Sequence, residues 1–314
     1  MLRHLGYMAA TQTIDASTSR TCRPRDATAD RVRSLTHANL RDLARIFRFQ
    51  AEQGIHLYRI GSQVIPFAAD PGNPVAWWDD FAAELETIGQ FARRHVLRLT
   101  MHPGHHTLLN APSPETMALS ILELGWHVRF LDALQVDATN KLVLRIGGTF
   151  GDKAGALDRF VAVVNGLPAE WRRRLVVEND ETQFTVRDTL EAATQAGIPA
   201  VFDRAHHRAN PGDDPDLACL IGRCFETWTP ADGAPIVHLS SPTVGEGRRP
   251  LHADWIEPGD LEALVVLAPA DVPFDCLLEA AQGDRALFDL RERMATREGN
   301  EVLGRVAATP IRMR

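Results

Sequence analysis

Cysteine is scarce in this chain of 314 residues: Cys22, Cys219, Cys224 and Cys276 are the whole supply. They form no CxxC pair and no regular spacing. That excludes a disulfide framework and points to reduced thiols in a cytosolic protein. Long apolar runs are missing too. No stretch is long and apolar enough to span a membrane, and the opening "MLRHLGYMAATQTID" lacks the apolar core of a signal peptide. Positive charge is not in excess: the formal charge is −7. A generic nucleic-acid sponge is therefore excluded, while a local basic groove or an acidic, cation-binding pocket is not. What is present is ordinary. Apolar residues make up 45% and charged residues 24%, as in a soluble globular protein. The length suits one large α/β barrel of ~250 residues.

Short β-type runs alternate with longer amphipathic segments. The expected strands are Leu2–Tyr7, Ile55–Ile60, Val96–Met101, Lys141–Ile146, Arg174–Glu178, Ala200–Asp203, Pro235–Leu239 and Pro273–Glu279. Most are continuous apolar runs, as strands covered on both faces require. Between them lie helical patterns such as "ANLRDLARIFRFQAEQ", "WWDDFAAELETIGQFARRH", "PETMALSILELGWHVRFLDALQ" and "VRDTLEAATQAG". Ser113-Pro114 and Thr185 stand where the last two would be capped. Eight such β units predict a (β/α)8 TIM barrel over 1–294, with a loose tail over 295–314. The segment Thr13–Ala29 is polar, Arg-rich and irregular, and in a barrel it would lie at the active face.

In such a barrel the carboxyl ends of the strands face the active site. Read in order, those ends bring Tyr7, His102, Arg145, then Glu178, Asn179 and Asp180 in "VVENDE", then Asp203, His206 and His207 in "VFDRAHH". His238 follows in "IVHLSS", His252 in the next loop, and Glu279 after the last strand. A lone His or Glu at a strand end is ordinarily a solvated loop residue, and His106 and His207 taken singly read that way. Glu178, Asp203, His238 and Glu279 together read differently. They end four consecutive strands, each after an apolar run that cannot solvate a charge, and buried carboxylates need a cation. Mixed oxygen and nitrogen donors without thiolate suit Mn²⁺, Fe²⁺ or Zn²⁺ better than Mg²⁺.

These residues, in this order, resemble the UV damage endonucleases, relatives of the endonuclease IV barrel. The likeness runs from "LGY" at Leu5 to "LEAA" at Leu278. It includes "NLRDLARIFRF", "RIGSQVIPFAADP", "MHPG", "IGGTFGDKAGALDRF", "VENDE", "HHRANPG" and "VHLSS". The resemblance implies a (β/α)8 barrel with a three-metal site, Mn²⁺ first and Zn²⁺ or Fe²⁺ as alternatives. It implies a cytoplasmic DNA repair enzyme that nicks damaged duplex DNA immediately 5′ to UV photoproducts and some other lesions, without an obligate protein partner. Carried over, Glu178, Asp203, His238 and Glu279 correspond to the ligands of one metal. Glu178 would bridge to a second ion held partly by His102, and His206 and His252 would hold a third. Glu178, His102 and Glu279 would carry the catalysis.

The resemblance breaks at the site. Arg145 stands where the family has a His ligand, and a guanidinium cannot ligate. It would repel a cation and could hold a phosphate or carboxylate bidentately. Ile236 replaces a metal-site Lys, Ala280 another Lys, and Thr11 an Asn. His105-His106 replace a Gln-Tyr pair that probes damaged bases. Three readings remain open. The first is a nuclease with a rearranged metal site, where His105 or His106 supplies a missing ligand. The second is a metal-dependent isomerase or epimerase whose anionic substrate Arg145 grips. The third is a non-catalytic DNA-binding relative. On the DNA readings, Tyr7, His105, His106, Arg145 and Arg204 would face the lesion. Arg20, Arg23, Arg25, Arg208, Arg248 and Arg249 would extend a phosphate track.

Overall fold

All eight expected strands form, several of them shorter than their apolar runs. A computed structural model describes residues 1–242 and 252–296. Along the chain run β1 (Leu2–Met8), α1 (Ala29–Glu52), β2 (Leu57–Ile60), α2 (Trp77–Asp80), α3 (Ala82–Arg94), β3 (Arg98–Met101), α4 (Pro114–Ala133), β4 (Lys141–Arg145) and α5 (Lys153–Gly166). They continue with α6 (Ala169–Arg172), β5 (Leu175–Glu178), α7 (Val186–Ala196), β6 (Ala200–Asp203), α8 (Arg204–Ala209), α9 (Leu217–Glu226), β7 (Ile236–Leu239), α10 (Pro258–Leu267), β8 (Phe274–Leu278) and α11 (Asp284–Ala295). Neighbouring strands pair in parallel in chain order, and β8 returns to pair with β1, closing a (β/α)8 barrel. Arg248, Arg249 and all but the first two residues of the expected tail lie outside the described residues.

Helix ends explain the trimmed strands. Ile55 N–H bonds back to Gln50 O at 2.9 Å, so Ile55 finishes the exit from α1 and pairing starts at Leu57. Val96 sits at φ +52° in the turn after α3, and β3 starts only at Arg98. The expected caps are in place. Ser113 accepts from Thr116 N–H at the start of α4. Thr185 and Asp188 form a reciprocal capping box on α7, which ends on Gly197 at φ +62°.

Alternate strand residues point into the barrel and form layers. The middle layer is apolar: Leu57, Ile236 and Leu277 pack together, Val143, Val176 and Val201 pack together, and Trp228 closes both groups from below. Beneath it, at the amino ends of the strands, charges are paired off. Asp275 accepts from Arg98 at 2.8 Å and from Arg3 at 2.6 Å, and Lys141 meets Asp232 at 2.7 Å. Gly6 occupies a point where no side chain fits, since a Cβ there would lie 2.3 Å from Leu57 O. Gly6→Ala is expected to lower the thermal midpoint, by an overpacking cost of roughly 1–3 kcal/mol or more. An unchanged melting curve would show that the β1–β2 contact is looser than described. The four cysteines are all free, and among the described residues no helix is long and apolar enough to cross a membrane.

Candidate metal centre

Two residues above the apolar layer, the same strands present charge. Glu178 ends β5, Asp203 ends β6, His238 lies on β7, and Glu279 follows β8. All four are at most 4% exposed. Glu178 is the hub. Its Oε1 meets His102 Nε2 at 2.8 Å and Arg145 Nε at 3.1 Å, and its Oε2 meets His238 Nδ1 at 2.7 Å. Burial alone would raise the Glu178 carboxyl, but His102 and His238 hold it well below the usual carboxylate range. Burial likewise opposes ionisation of Glu279, and Arg59 and His238 bring it down to about 2. Both carboxylates are therefore charged at neutral pH.

Asp203 has two tasks. Its Oδ1 caps α8 by accepting from His206 N–H at 2.8 Å, which fixes the carboxylate at the strand end. Its Oδ2 is buried and has no hydrogen-bond partner. That oxygen lies 3.7 Å from His238 Nδ1. One ligand atom from each of Glu178, Asp203 and His238 falls within a cluster spanning at most 4.8 Å. An unpartnered buried carboxylate oxygen beside a second carboxylate and an imidazole is costly without a cation, so the residues fit a divalent metal ion. Asn179 braces the two strand ends, donating to Asp203 O and accepting from Asp203 N–H.

The remaining expected ligands are arranged around this cluster. His102 donates from Nδ1 to Pro103 O at 2.9 Å, which turns Nε2 toward Glu178. His252 Nδ1 meets the Ser240 hydroxyl at 2.7 Å, and its Nε2 lies 3.5 Å from Glu279. The ring centroids of His206 and His252 lie 6.5 Å apart, with the planes tilted by 56°. His206 donates from Nδ1 to Asn179 O, and its Nε2 accepts from Arg145 at 3.0 Å. Burial presses His206 down, but Asp203 and Glu178 outweigh it and raise its pKa.

Several expected roles change. Tyr7 was expected to face the lesion, but it is wholly buried. Gly6 and Met8 take the inward positions of β1, so Tyr7 points outward to α1, where its hydroxyl meets Thr11 and Gln50. It cannot stack on a base. Arg145 was expected to hold DNA or another anion. It turns inward instead, to Glu178, Glu181, His105 and His206. Ile236 fills the apolar layer directly below His238 and offers nothing to a metal. Asp180 holds its own turn, accepting from Thr182, Gln183 and Phe184 N–H. His106 is exposed and leans toward Glu123, while His105 borders a cavity of about 240 Å³ with His102, Arg145 and Glu181. Arg204 is half-buried with an unpartnered Nε. Arg20 is tied to Asp42 and Arg208 to Asp260.

Two site residues escaped the sequence reading. Arg59, on β2, is 7% exposed and reaches across the barrel mouth to Glu279, with Nη2 2.8 Å from His238 Nε2. A charge inside the apolar run "LYRI" was the available signal. Glu181, three residues after Glu178, pairs with Arg145 at 3.0 Å.

Residues 1–308 match the family model described as UV-endonuclease UvdE. The chain is 35% identical to a UV DNA damage endonuclease of Clostridium perfringens, over 75% of this chain and 58% of that one. It is 34% identical to that of Bacillus velezensis, over 95% of this chain and 96% of the other. Its structure matches the crystal structure of SacUVDE with a TM-score of 0.85 and 27% identity, covering 93% and 98% of the two chains.

Proposed function

This chain belongs to the UV-endonuclease family, and from that footing we propose that it is a metal-dependent DNA repair endonuclease acting on damaged duplex DNA. The cut falls 5′ to UV photoproducts and other lesions, and the site of action is the cytoplasm. The observation that carries the metal requirement is the unpartnered, buried Asp203 Oδ2 beside Glu178 and His238. Those three residues, with Glu279 at their edge, would hold the ion, Mn²⁺ before Zn²⁺ or Fe²⁺. When bound, a divalent ion lowers the pKa of a coordinated water and offsets charge on a phosphodiester.

The chain's own groups do the rest. Glu178 keeps its charge through His102 and His238, and so holds its ligand geometry without taking up a proton. His102 Nε2, 2.8 Å from Glu178, and His252 Nε2, 3.5 Å from Glu279, flank the carboxylates and are the groups that would carry protons in the reaction. Arg59 keeps Glu279 ionised. His105, exposed at the rim, and the half-buried Arg204 are the proposed contacts to the lesion and its backbone. His106 offers a second imidazole at the same turn. The inward turn of Arg145 removes the feature that favoured a small anionic substrate.

Metal removal tests this reading. Chelator-treated protein should leave UV-irradiated supercoiled plasmid intact, and added Mn²⁺ should restore conversion to the nicked form. Full nicking by metal-free protein would refute it.

A further inference from the structure

Arg145 is a permanent cation inside a ring of metal-compatible side chains. Its Nε donates to Glu178 Oε1 at 3.1 Å, and its Nη1 to Glu181 at 3.0 Å and to His105 Nδ1 at 3.2 Å. Its Nη2 donates to His206 Nε2 at 3.0 Å. Two carboxylates and two imidazoles are the donor set of a borderline divalent ion. Here each aims its acceptor at a guanidinium instead. His206 is committed to this by its other nitrogen, since Nδ1 donates to Asn179 O and leaves Nε2 as the acceptor. Burial works against the Arg145 charge, but Glu178 and Glu181 more than restore it.

Among the described residues, opposite charges meet throughout the mouth. Glu178, Glu181, Asp203 and Glu279 bring four carboxylates to the mouth, and Arg59 and Arg145 bring two guanidiniums. Asp203 Oδ2 remains without a hydrogen-bond partner, 3.5 Å from His206 Nδ1 and 3.7 Å from His238 Nδ1. The structure therefore holds a cation against Glu181 and His206 Nε2, and an unpartnered carboxylate oxygen where Glu178, Asp203 and His238 converge.

We propose that Arg145 is a resident cation that stands in for a divalent ion on the Glu181–His206 side of the mouth. The chain then takes one divalent ion, among Glu178, Asp203 and His238. This rests on the reading of those three residues as ligands. Its test is a count of bound metal rather than an activity, so it can fail while the nuclease reading stands.

The protein is stripped with chelator, loaded with Mn²⁺, freed of excess by gel filtration, and its metal measured by elemental analysis. The wild-type chain should hold about one equivalent. Arg145→His, which removes the fixed charge and adds a ligand, should hold about two. Arg145→Lys keeps the charge and should stay at about one. More than one tight equivalent in the wild type overturns the proposal, and that measurement stands even if a variant fails to fold. An unchanged count in folded Arg145→His, or a second ion in Arg145→Lys, also overturns it.

Discussion

Glu178→Gln should abolish nicking, with a loss of roughly 10²–10³-fold or more, and should release the metal. The substitution keeps the shape and removes the charge. Three groups are aimed at that carboxylate: His102 at 2.8 Å, His238 at 2.7 Å and Arg145 at 3.1 Å. An amide has only one acceptor oxygen, so one of Oε1 and Oε2 would become an N–H₂ facing donors. The Arg145 guanidinium would lose a charged partner and press its charge on whatever remains. Metal affinity should fall alongside activity, because a charged oxygen of the Glu178–Asp203–His238 cluster is gone. Calorimetric titration with Mn²⁺ reads the first effect, and nicking of irradiated plasmid reads the second. A Glu178→Gln protein with wild-type metal affinity would show that the ion is held elsewhere.

The largest effect on stability is expected at the opposite end of the barrel. Asp275 is fully buried and accepts from Arg98, which is 7% exposed, and from Arg3. Arg98 also donates to Asp232 O and Thr139 O, and its guanidinium lies 5.5 Å from the Trp228 ring. Asp275→Ala would leave that guanidinium buried without its counter-charge. Breaking a buried pair from one side costs about 3–5 kcal/mol. The urea midpoint should drop accordingly, while nicking by the folded fraction should persist, since Asp275 lies below the apolar layer and not at the mouth. A variant as stable as the wild type would mean that water reaches Arg98 from below.

Why some of this was legible in the sequence follows from the barrel's two-residue period. Glu178, Asp203, His238 and Glu279 each stand at a strand end, two residues past an inward apolar position such as Val176, Val201, Ile236 and Leu277. Strand, layer and site therefore share one register. The same rule, applied to β1, would have corrected Tyr7: Gly6 and Met8 are in phase with the interior, so Tyr7 belongs to the α1 interface. Arg59 was equally in phase but was absorbed into its apolar run. Arg145 is a different case. Its chemistry showed that it could not ligate, but not which way it would turn. That depends on Glu181 and His206, whose acceptors come to it from the loop after β5 and from α8. Neither that partnering nor the unpartnered Asp203 Oδ2 has any local signature.

The most direct test uses a duplex with one defined photoproduct, end-labelled on the damaged strand, incubated with Mn²⁺-loaded protein beside an undamaged control. A single product ending immediately 5′ to the lesion, absent from the control, is the predicted result. No cleavage of the damaged duplex by protein shown to contain metal would contradict the assignment of this chain as a lesion-directed endonuclease.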